Sequence, residues 1–241
     1  MVNNNKNMNS EINCYERNGV TIMQSVIRFS LFGNYERFST SNLDSYMKLI
    51  EFFGKRGYKP ATANELQLQP NGQTRVIVMP VFLNETGAVI EMTSNRINFQ
   101  KNINNIIKID TLNQEFSNEF ANLLDTFITE FSIMSNRLAL NCEILKEDTI
   151  LEMPIQSSFF DNVNKTEMTM RNAARKEVEK EESNIIIEKY VTIQGGFTKY
   201  SYDINSIGEN QVIRFNDSNI KKMYKAYIDI ALQIEKGLKQ D

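Results

Sequence analysis

Apolar residues in this sequence recur with two different spacings, and the order of these spacings along the chain limits the folds that it can adopt. In residues 20–32, Ile27, Phe29 and Leu31 alternate with Arg28 and Ser30, which predicts a β-strand with one buried face. A helical spacing is clearest in a later stripe formed by Phe116, Phe120, Leu123, Leu124, Phe127 and Phe131. The chain therefore has to combine a sheet with amphipathic helices.

The same two patterns predict the order of elements in the first 145 residues. We expect strands over residues 74–83, 88–99 and 137–145, and a hairpin turn over residues 84–87. A first helix should follow Ser41, present Leu43, Tyr46, Met47, Ile50 and Phe53, and end at Gly57; Asp110 or Thr111 should cap the second. Residues 60–72 are predicted to be a loop. The resulting β-α-β-β-α-β order resembles a split βαβ plan.

The remaining residues add strands and one more helix. Residues 151–184 are polar and charged, and we interpret them as a solvated helix or a flexible excursion. Strands are expected over residues 185–203 and 211–215, and a helix that begins at Ser218 should pack on the sheet. We therefore predict an α+β fold with an antiparallel or mixed sheet. Residues 1–19 would be a flexible tail, and residues 20–241 one domain with parts 20–150, 151–184 and 185–241.

The chain lacks histidine altogether, and this absence removes most of the usual catalytic groups. Neither Cys14 nor Cys142 can form a cysteine–histidine pair, and two cysteines cannot fill a zinc site. No phosphate-binding glycine loop occurs. Carboxylates that could hold Mg²⁺ remain at one strand end, at Glu143, Glu147, Asp148 and Glu152. We predict no catalytic residues, no metal site and no cofactor, and a binding role is favoured over a catalytic one.

Composition bears on compartment and partners. The net charge is −3, so no overall basic field indicates a nucleic-acid partner, although a local basic patch would still permit one. No apolar segment reaches the roughly 18–20 residues that a membrane span needs. Two widely separated thiols are typical of a reducing compartment. We predict a cytoplasmic protein without membrane contact.

A short motif occurs twice. Asn95-Arg96 and Asn136-Arg137 each follow a serine and lead into alternating apolar residues, so each pair should lie at or within a strand. Two arginines on rigid strands could present paired guanidinium groups to a carboxylate or phosphate. The structural alternative is that each asparagine makes a turn and each arginine covers the sheet or pairs with an acid.

The same motif carries a family resemblance. The residues concerned are Asn136, Arg137, Leu138 and Asn141, followed later by Asp203, Ile204 and Asn205. With the helix that precedes the arginine-leucine strand, they resemble a sporadically distributed, uncharacterised prokaryotic family of roughly this length. The resemblance implies no known reaction. Patchy distribution is typical of genes on mobile elements, including antiviral defence and toxin systems.

These observations leave three hypotheses, in order of preference. The first is a non-catalytic interaction, scaffold or sensor subunit of a bacterial or phage multi-protein system, with a protein partner or self-association. The second is a domain that binds a small anionic ligand or nucleotide through Asn95, Arg96, Asn136, Arg137 and Asn141. The third is a carboxylate- and Mg²⁺-dependent enzyme.

Overall fold

A computed structural model describes residues 22–104, 109–147, 167–192, 197–208 and 212–238. Nine strands form a single sheet, and every pair of neighbouring strands is antiparallel. The strands are β1 (Ile22–Phe32), β2 (Lys59–Leu68), β3 (Thr74–Leu83), β4 (Ala88–Met92), β5 (Arg96–Ile103), β6 (Arg137–Glu147), β7 (Glu167–Val178), β8 (Glu181–Thr192) and β9 (Phe197–Ser206). The α-helices are α1 (Leu43–Gly54), α2 (Leu112–Glu130) and α3 (Asp217–Leu238).

The sheet order is β2-β3-β4-β5-β1-β6-β9-β8-β7, so the first strand lies in the middle. β1 pairs with β5 on one side and with β6 on the other. The predicted α+β class with an antiparallel sheet, further C-terminal strands and a packed C-terminal helix is confirmed. The sequence prediction counted two strands between α1 and α2, whereas the structure has four.

One row of large apolar residues crosses the sheet and forms the floor of the core. Phe82, Ile90, Phe99, Phe29 and Leu140 lie directly opposite one another on five neighbouring strands. Each helix places a ring on this row: Phe53 lies 4.4 Å from Phe82, Phe120 lies 5.7 Å from Phe99, and Tyr224 lies 5.0 Å from Phe29 between ring centroids. All three helices therefore pack on the same face of the sheet. Each such side chain stabilises the fold by about 1.5–3 kcal/mol.

Helix α1 exists as predicted, but its buried face is different. Its N-cap is Asn42, whose side chain accepts a hydrogen bond from the Ser45 amide, instead of Ser41. The buried side chains are Leu49, Phe52 and Phe53, while Leu43 and Met47 of the predicted stripe are exposed. The two adjacent phenylalanines decide the orientation of the helix, because both pack against the Phe127 ring.

Two predictions between α1 and α2 are wrong. Residues 60–72 are mostly strand β2, which pairs along its whole length with β3. As an outer strand of the sheet it has a polar sequence and largely exposed side chains, so it lacks the apolar alternation that reveals a half-buried strand. The segment 88–99 is not one strand, because a turn at residues 93–95 divides it into β4 and β5, which pair with each other.

The C-terminal part needs two further corrections. Residues 167–178, expected to be a solvated helix or excursion, form strand β7 at the other outer position of the sheet. Its side chains are mostly exposed, as expected, but its backbone pairs with β8. Within residues 212–215, only a single bridge between Phe215 and Ser135 replaces the predicted strand. The prediction for residues 151–166 lies outside the described residues.

Among the helices of the described segments, none is both long and apolar enough to cross a membrane.

Candidate functional site

The sheet face opposite the helices, hereafter the open face, is lined by polar side chains. Its central residues on β1 are Arg28, Ser30 and Phe32, which alternate with the buried Ile27, Phe29 and Leu31. Cross-strand hydrogen bonds join Ser30 to Asn98 at 2.9 Å and Arg28 to Gln100 at 2.6 and 2.9 Å. The centre of the open face is therefore an ordered polar layer, in which Ser30 and Asn98 are buried.

The repeated motif places two arginines on either side of one aromatic ring. Phe32 lies directly opposite Arg96 on β5 and directly opposite Arg137 on β6. The guanidinium carbon of Arg137 lies 5.0 Å from the centroid of the Phe32 ring, and that of Arg96 lies 6.0 Å from it. The two arginines are thus next-nearest neighbours across the sheet, about 10 Å apart at their Cα atoms. Sequence reasoning predicted two strand-borne arginines, and the structure brings them to one site.

Among the arginines that the structure describes, Arg96 and Arg137 are the two without a hydrogen bond or an ion pair. Within the described residues, neither Arg96 nor Arg137 donates a hydrogen bond, and neither has a carboxylate within 4 Å. Every other arginine of the described segments makes a hydrogen bond or an ion pair. The Nε atom of Arg96 is also buried without a hydrogen-bond partner. The charge of Arg137 acts on the carboxylate of Asp203 from beyond ion-pair distance, but neither guanidinium group donates a hydrogen bond to a described residue, so the pair has unused donors for an anion.

The asparagines of the motif act on the backbone. Asn95 lies in the turn between β4 and β5, and its carbonyl accepts a hydrogen bond from the amide of Gly33 at 3.0 Å. The amide of Asn136 donates to the carbonyl of Phe32 at 2.8 Å. Both asparagines therefore hold the end of β1 between β5 and β6. Asn95 thus lies in a turn, and the two arginines lie against the Phe32 ring of the sheet.

A second polar cluster lies on the open face further along β6. Asn141 donates to Oδ1 of Asp203 at 2.6 Å, and Asn205 donates to Oδ2 of the same carboxylate at 2.8 Å. Burial raises the pKa of Asp203, and the hydrogen bonds from Asn205 and Asn141 with the charge of Arg137 oppose this rise without cancelling it. The residues quoted for the family resemblance, Asn141, Asp203 and Asn205, thus share one hydrogen-bonded cluster.

A depression of about 220 Å³ opens beside this cluster. Its lining side chains on the open face are Asn141, Asp203, Ser201, Ile186, Glu188, Glu143 and Arg171. Glu188 is paired with Arg171 at 2.9 Å and Glu143 with Lys199 at 2.7 Å. Whereas Glu188 and Glu143 each form an ion pair, Asp203 accepts its hydrogen bonds from two side-chain amides.

The predicted carboxylate site does not take shape in the described part of the chain. Glu143 is paired with Lys199, and Glu147 ends strand β6, whereas Asp148 and Glu152 lie outside the described residues. In the segments that the structure describes, no three acidic or cysteine side chains are grouped so that they could hold a metal ion. Cys142 is buried on the helix side of the sheet, where burial raises the pKa of its thiol.

Two residues of the site were missed in the sequence, namely Phe32 and Arg28. Both follow the alternation of β1, since residues 28, 30 and 32 have the same parity and face away from the apolar residues 27, 29 and 31. An aromatic residue at a position of the polar parity was the signal. The position of Phe32 between Arg96 and Arg137 could not be predicted from this alternation, because it depends on the strand order.

Comparison of the chain with protein-family models, with curated proteins and with solved structures finds no match. The resemblance to a sporadically distributed prokaryotic family therefore stays a prediction.

Proposed function

We propose that this protein is a non-catalytic binding module that holds a small anionic ligand on the open face, between Arg96 and Arg137. The observation that supports the proposal most directly is that these two guanidinium groups flank Phe32 and lack hydrogen bonds and ion pairs to the described residues. A phosphate or carboxylate placed between them would receive charge-assisted hydrogen bonds from both sides.

The strand positions favour a preorganised site over a mobile one. Arg96 begins β5 and Arg137 begins β6, and the backbone of each segment is fixed to the end of β1 by hydrogen bonds through Asn95 and Asn136. Contact with the Phe32 ring adds about 0.5–1 kcal/mol per guanidinium and limits its motion. Little conformational entropy would then be lost when an anion binds.

A thermal-shift experiment tests this function. Phosphate, pyrophosphate and nucleotides should raise the melting temperature at low ionic strength, because salt screens the exposed charges. At a hundredfold excess over Kd the stabilisation is about 2.7 kcal/mol, or about 5–10 °C for a chain of this size. Arg137→Ala and Arg96→Ala should each abolish the shift, whereas Arg75→Ala, which removes an exposed and already paired arginine, should leave it unchanged. If no anion shifts the melting temperature of the wild-type protein, the proposal is wrong.

A second candidate function is an interaction or scaffold subunit, and a different part of the molecule favours it. Leu66 and Val76 lie directly opposite each other in the β2–β3 hairpin, and they are 71% and 56% exposed. Leu68, two residues further, is 78% exposed. An apolar group of this kind on an outer strand favours contact with a partner protein or a second copy. Under this alternative the protein would serve in a bacterial or phage system, such as antiviral defence.

Size-exclusion chromatography with light scattering, together with co-purification from the native operon, tests this alternative. The double variant Leu66→Lys and Leu68→Lys should release the partner or dissociate the oligomer. Val212→Lys is a matched control, because Val212 is similarly exposed (52%) but lies outside the hairpin. A wild-type protein that is a stable monomer and brings no partner with it would speak against this function.

A further inference from the structure

We infer that the anion held by Arg96 and Arg137 is the phosphate of a nucleoside phosphate. The sugar hydroxyl groups or a base amino group of this ligand would donate to Asp203 in the adjacent depression. This inference rests on the proposed function and specifies its ligand. It is carried by the relative position of the two polar clusters on the open face.

The two clusters lie in line along one strand. Arg137 and Asn141 are both on β6 with their side chains on the same face, and four residues of extended strand separate them by about 13 Å. Asp203 lies directly opposite Asn141 on β9. Between the two clusters, the β6 side chain on this face is that of Ala139, which is small and 3% exposed. A ligand that touches both Arg96 on β5 and Asp203 on β9 has to cross β1 and β6, which is about 14 Å of sheet. Such a ligand must be elongated, which excludes inorganic phosphate and pyrophosphate as ligands that fill the site.

The chemistry at the two ends is opposite in sign. The Arg96–Arg137 end offers cationic donors, whereas Asp203 offers a carboxylate. Each oxygen of Asp203 accepts one amide hydrogen bond, from Asn141 or Asn205. A carboxylate has about four acceptor positions, so roughly two remain for a ligand. Groups that donate to a carboxylate in this way are hydroxyls and amines, and a ribose diol is a well-matched example.

The depression also has the mixed lining that a sugar or base requires. Ile186 supplies an apolar contact, and Ser201 supplies a hydroxyl beside Asp203. Glu188 and Arg171 form an ion pair at the same depression, so their charges are already matched. Asp203 is then the group most available for a neutral donor of the ligand.

Isothermal titration calorimetry with four probes tests the inference: adenosine monophosphate, 2′-deoxyadenosine monophosphate, ribose 5-phosphate and pyrophosphate. Wild-type protein should bind adenosine monophosphate at least about tenfold more tightly than pyrophosphate, since hydrogen bonds to a charged group contribute on this scale. Asp203→Asn should weaken adenosine monophosphate by about tenfold or more without weakening pyrophosphate, because the negative charge that it removes opposes an anion at Arg137. Arg137→Ala should weaken both probes.

One control and one further variant complete this experiment. Asp229→Asn changes an exposed carboxylate on α3, on the other side of the sheet, and should leave all affinities unchanged. Asn141→Ala keeps the Asp203 charge but removes a hydrogen bond that orients it, so it should weaken adenosine monophosphate without affecting pyrophosphate. Both Asp203→Asn and Asn141→Ala should keep the wild-type circular dichroism spectrum.

The inference and the proposed function fail in different ways. If pyrophosphate binds as tightly as adenosine monophosphate, or if Asp203→Asn weakens both equally, the ligand does not reach the depression and the inference is overturned, while the anion site stands. If none of the four probes binds, the anion site itself is refuted.

Discussion

Glu119 is the clearest stabilising group outside the open face, and its removal should cost several kcal/mol. Its carboxylate, on helix α2, accepts four hydrogen bonds: from Tyr58 at 2.9 Å, Asn84 at 2.9 Å, Thr86 at 3.1 Å and Lys101 at 3.2 Å. These partners come from the start of β2, the β3–β4 turn and β5. One side chain thus ties α2 to the sheet.

The size of the loss in stability depends on which donors would be left without an acceptor. Tyr58 and Lys101 are buried, at 5% and 9% exposure, so water cannot easily replace the carboxylate at either group. Leaving a buried donor unsatisfied costs about 1–3 kcal/mol, and Lys101 keeps a bond to Thr86 at 2.8 Å. We therefore expect Glu119→Ala to lower the free energy of unfolding by about 2–4 kcal/mol. Glu119→Gln keeps an acceptor oxygen and should cost about half as much.

The effect should also depend on pH. Burial by itself would raise the pKa of Glu119, but the hydrogen bonds from Tyr58 and Lys101 and the charge of Lys101 outweigh it and lower the pKa below its ordinary value of 4.5. A carboxyl whose pKa is lowered by folding contributes stability that is present above the unfolded pKa and lost as the pH falls through the folded one. Wild-type protein should therefore lose stability below about pH 4.5 more steeply than Glu119→Gln does.

Urea unfolding followed by circular dichroism measures these differences. The matched control is Glu130→Ala, which removes an exposed carboxylate from the same helix and should change stability by less than about 0.5 kcal/mol. If Glu119→Ala costs no more than Glu130→Ala, the four hydrogen bonds do not stabilise the fold and the reasoning is refuted.

Two smaller perturbations test other parts of the fold. Gly87→Ala should lower the free energy of unfolding, measured with urea, by about 1–3 kcal/mol, because the φ of Gly87 is +80° and an added Cβ would lie 2.8 Å from the carbonyl oxygen of Asn102. The control is Gly54→Ala, which should be neutral or stabilising, because nothing lies within 4 Å of an added Cβ there. In a Cys14→Ser background, Cys142 should react with a thiol reagent such as dithionitrobenzoate only after denaturation, because the thiol is 1% exposed and its pKa is raised by burial. Rapid labelling of the native protein would contradict that placement.

Much of the fold was predictable because most strands and helices bury one face. β3 matches its predicted range, β1 and β6 begin or end where the alternation does, and the phenylalanine stripe of α2 lies in the core. The outer strands were not predictable in this way. β2 and β7 have one neighbour each and mostly exposed side chains, so their sequences lack the contrast between two faces on which such predictions depend.

The candidate site was predictable only in part. The repeated Asn-Arg motif indicated strand-borne arginines, and its two copies do lie on β5 and β6. That β1 separates these strands, with Phe32 between the arginines, is a property of the strand order. The pairing of Asn141 with Asp203 depends in the same way on the neighbouring positions of β6 and β9, which are separated by 62 residues of sequence at this contact. Local patterns carry no information on such pairings.

The measurement that tests the central claim most directly is the affinity for pyrophosphate of three proteins at low ionic strength: wild type, the double variant Arg96→Ala and Arg137→Ala, and the double variant Arg96→Lys and Arg137→Lys. If the guanidinium groups bind the anion through paired hydrogen bonds, alanine should abolish binding, and lysine, which keeps the charge but not the planar fork, should weaken it by at least about tenfold. Equal affinities for wild type and the lysine variant would show that the site binds the anion through positive charge alone, without the paired hydrogen bonds of the guanidinium groups. Equal affinities for wild type and the alanine variant would contradict the claim that Arg96 and Arg137 bind an anion.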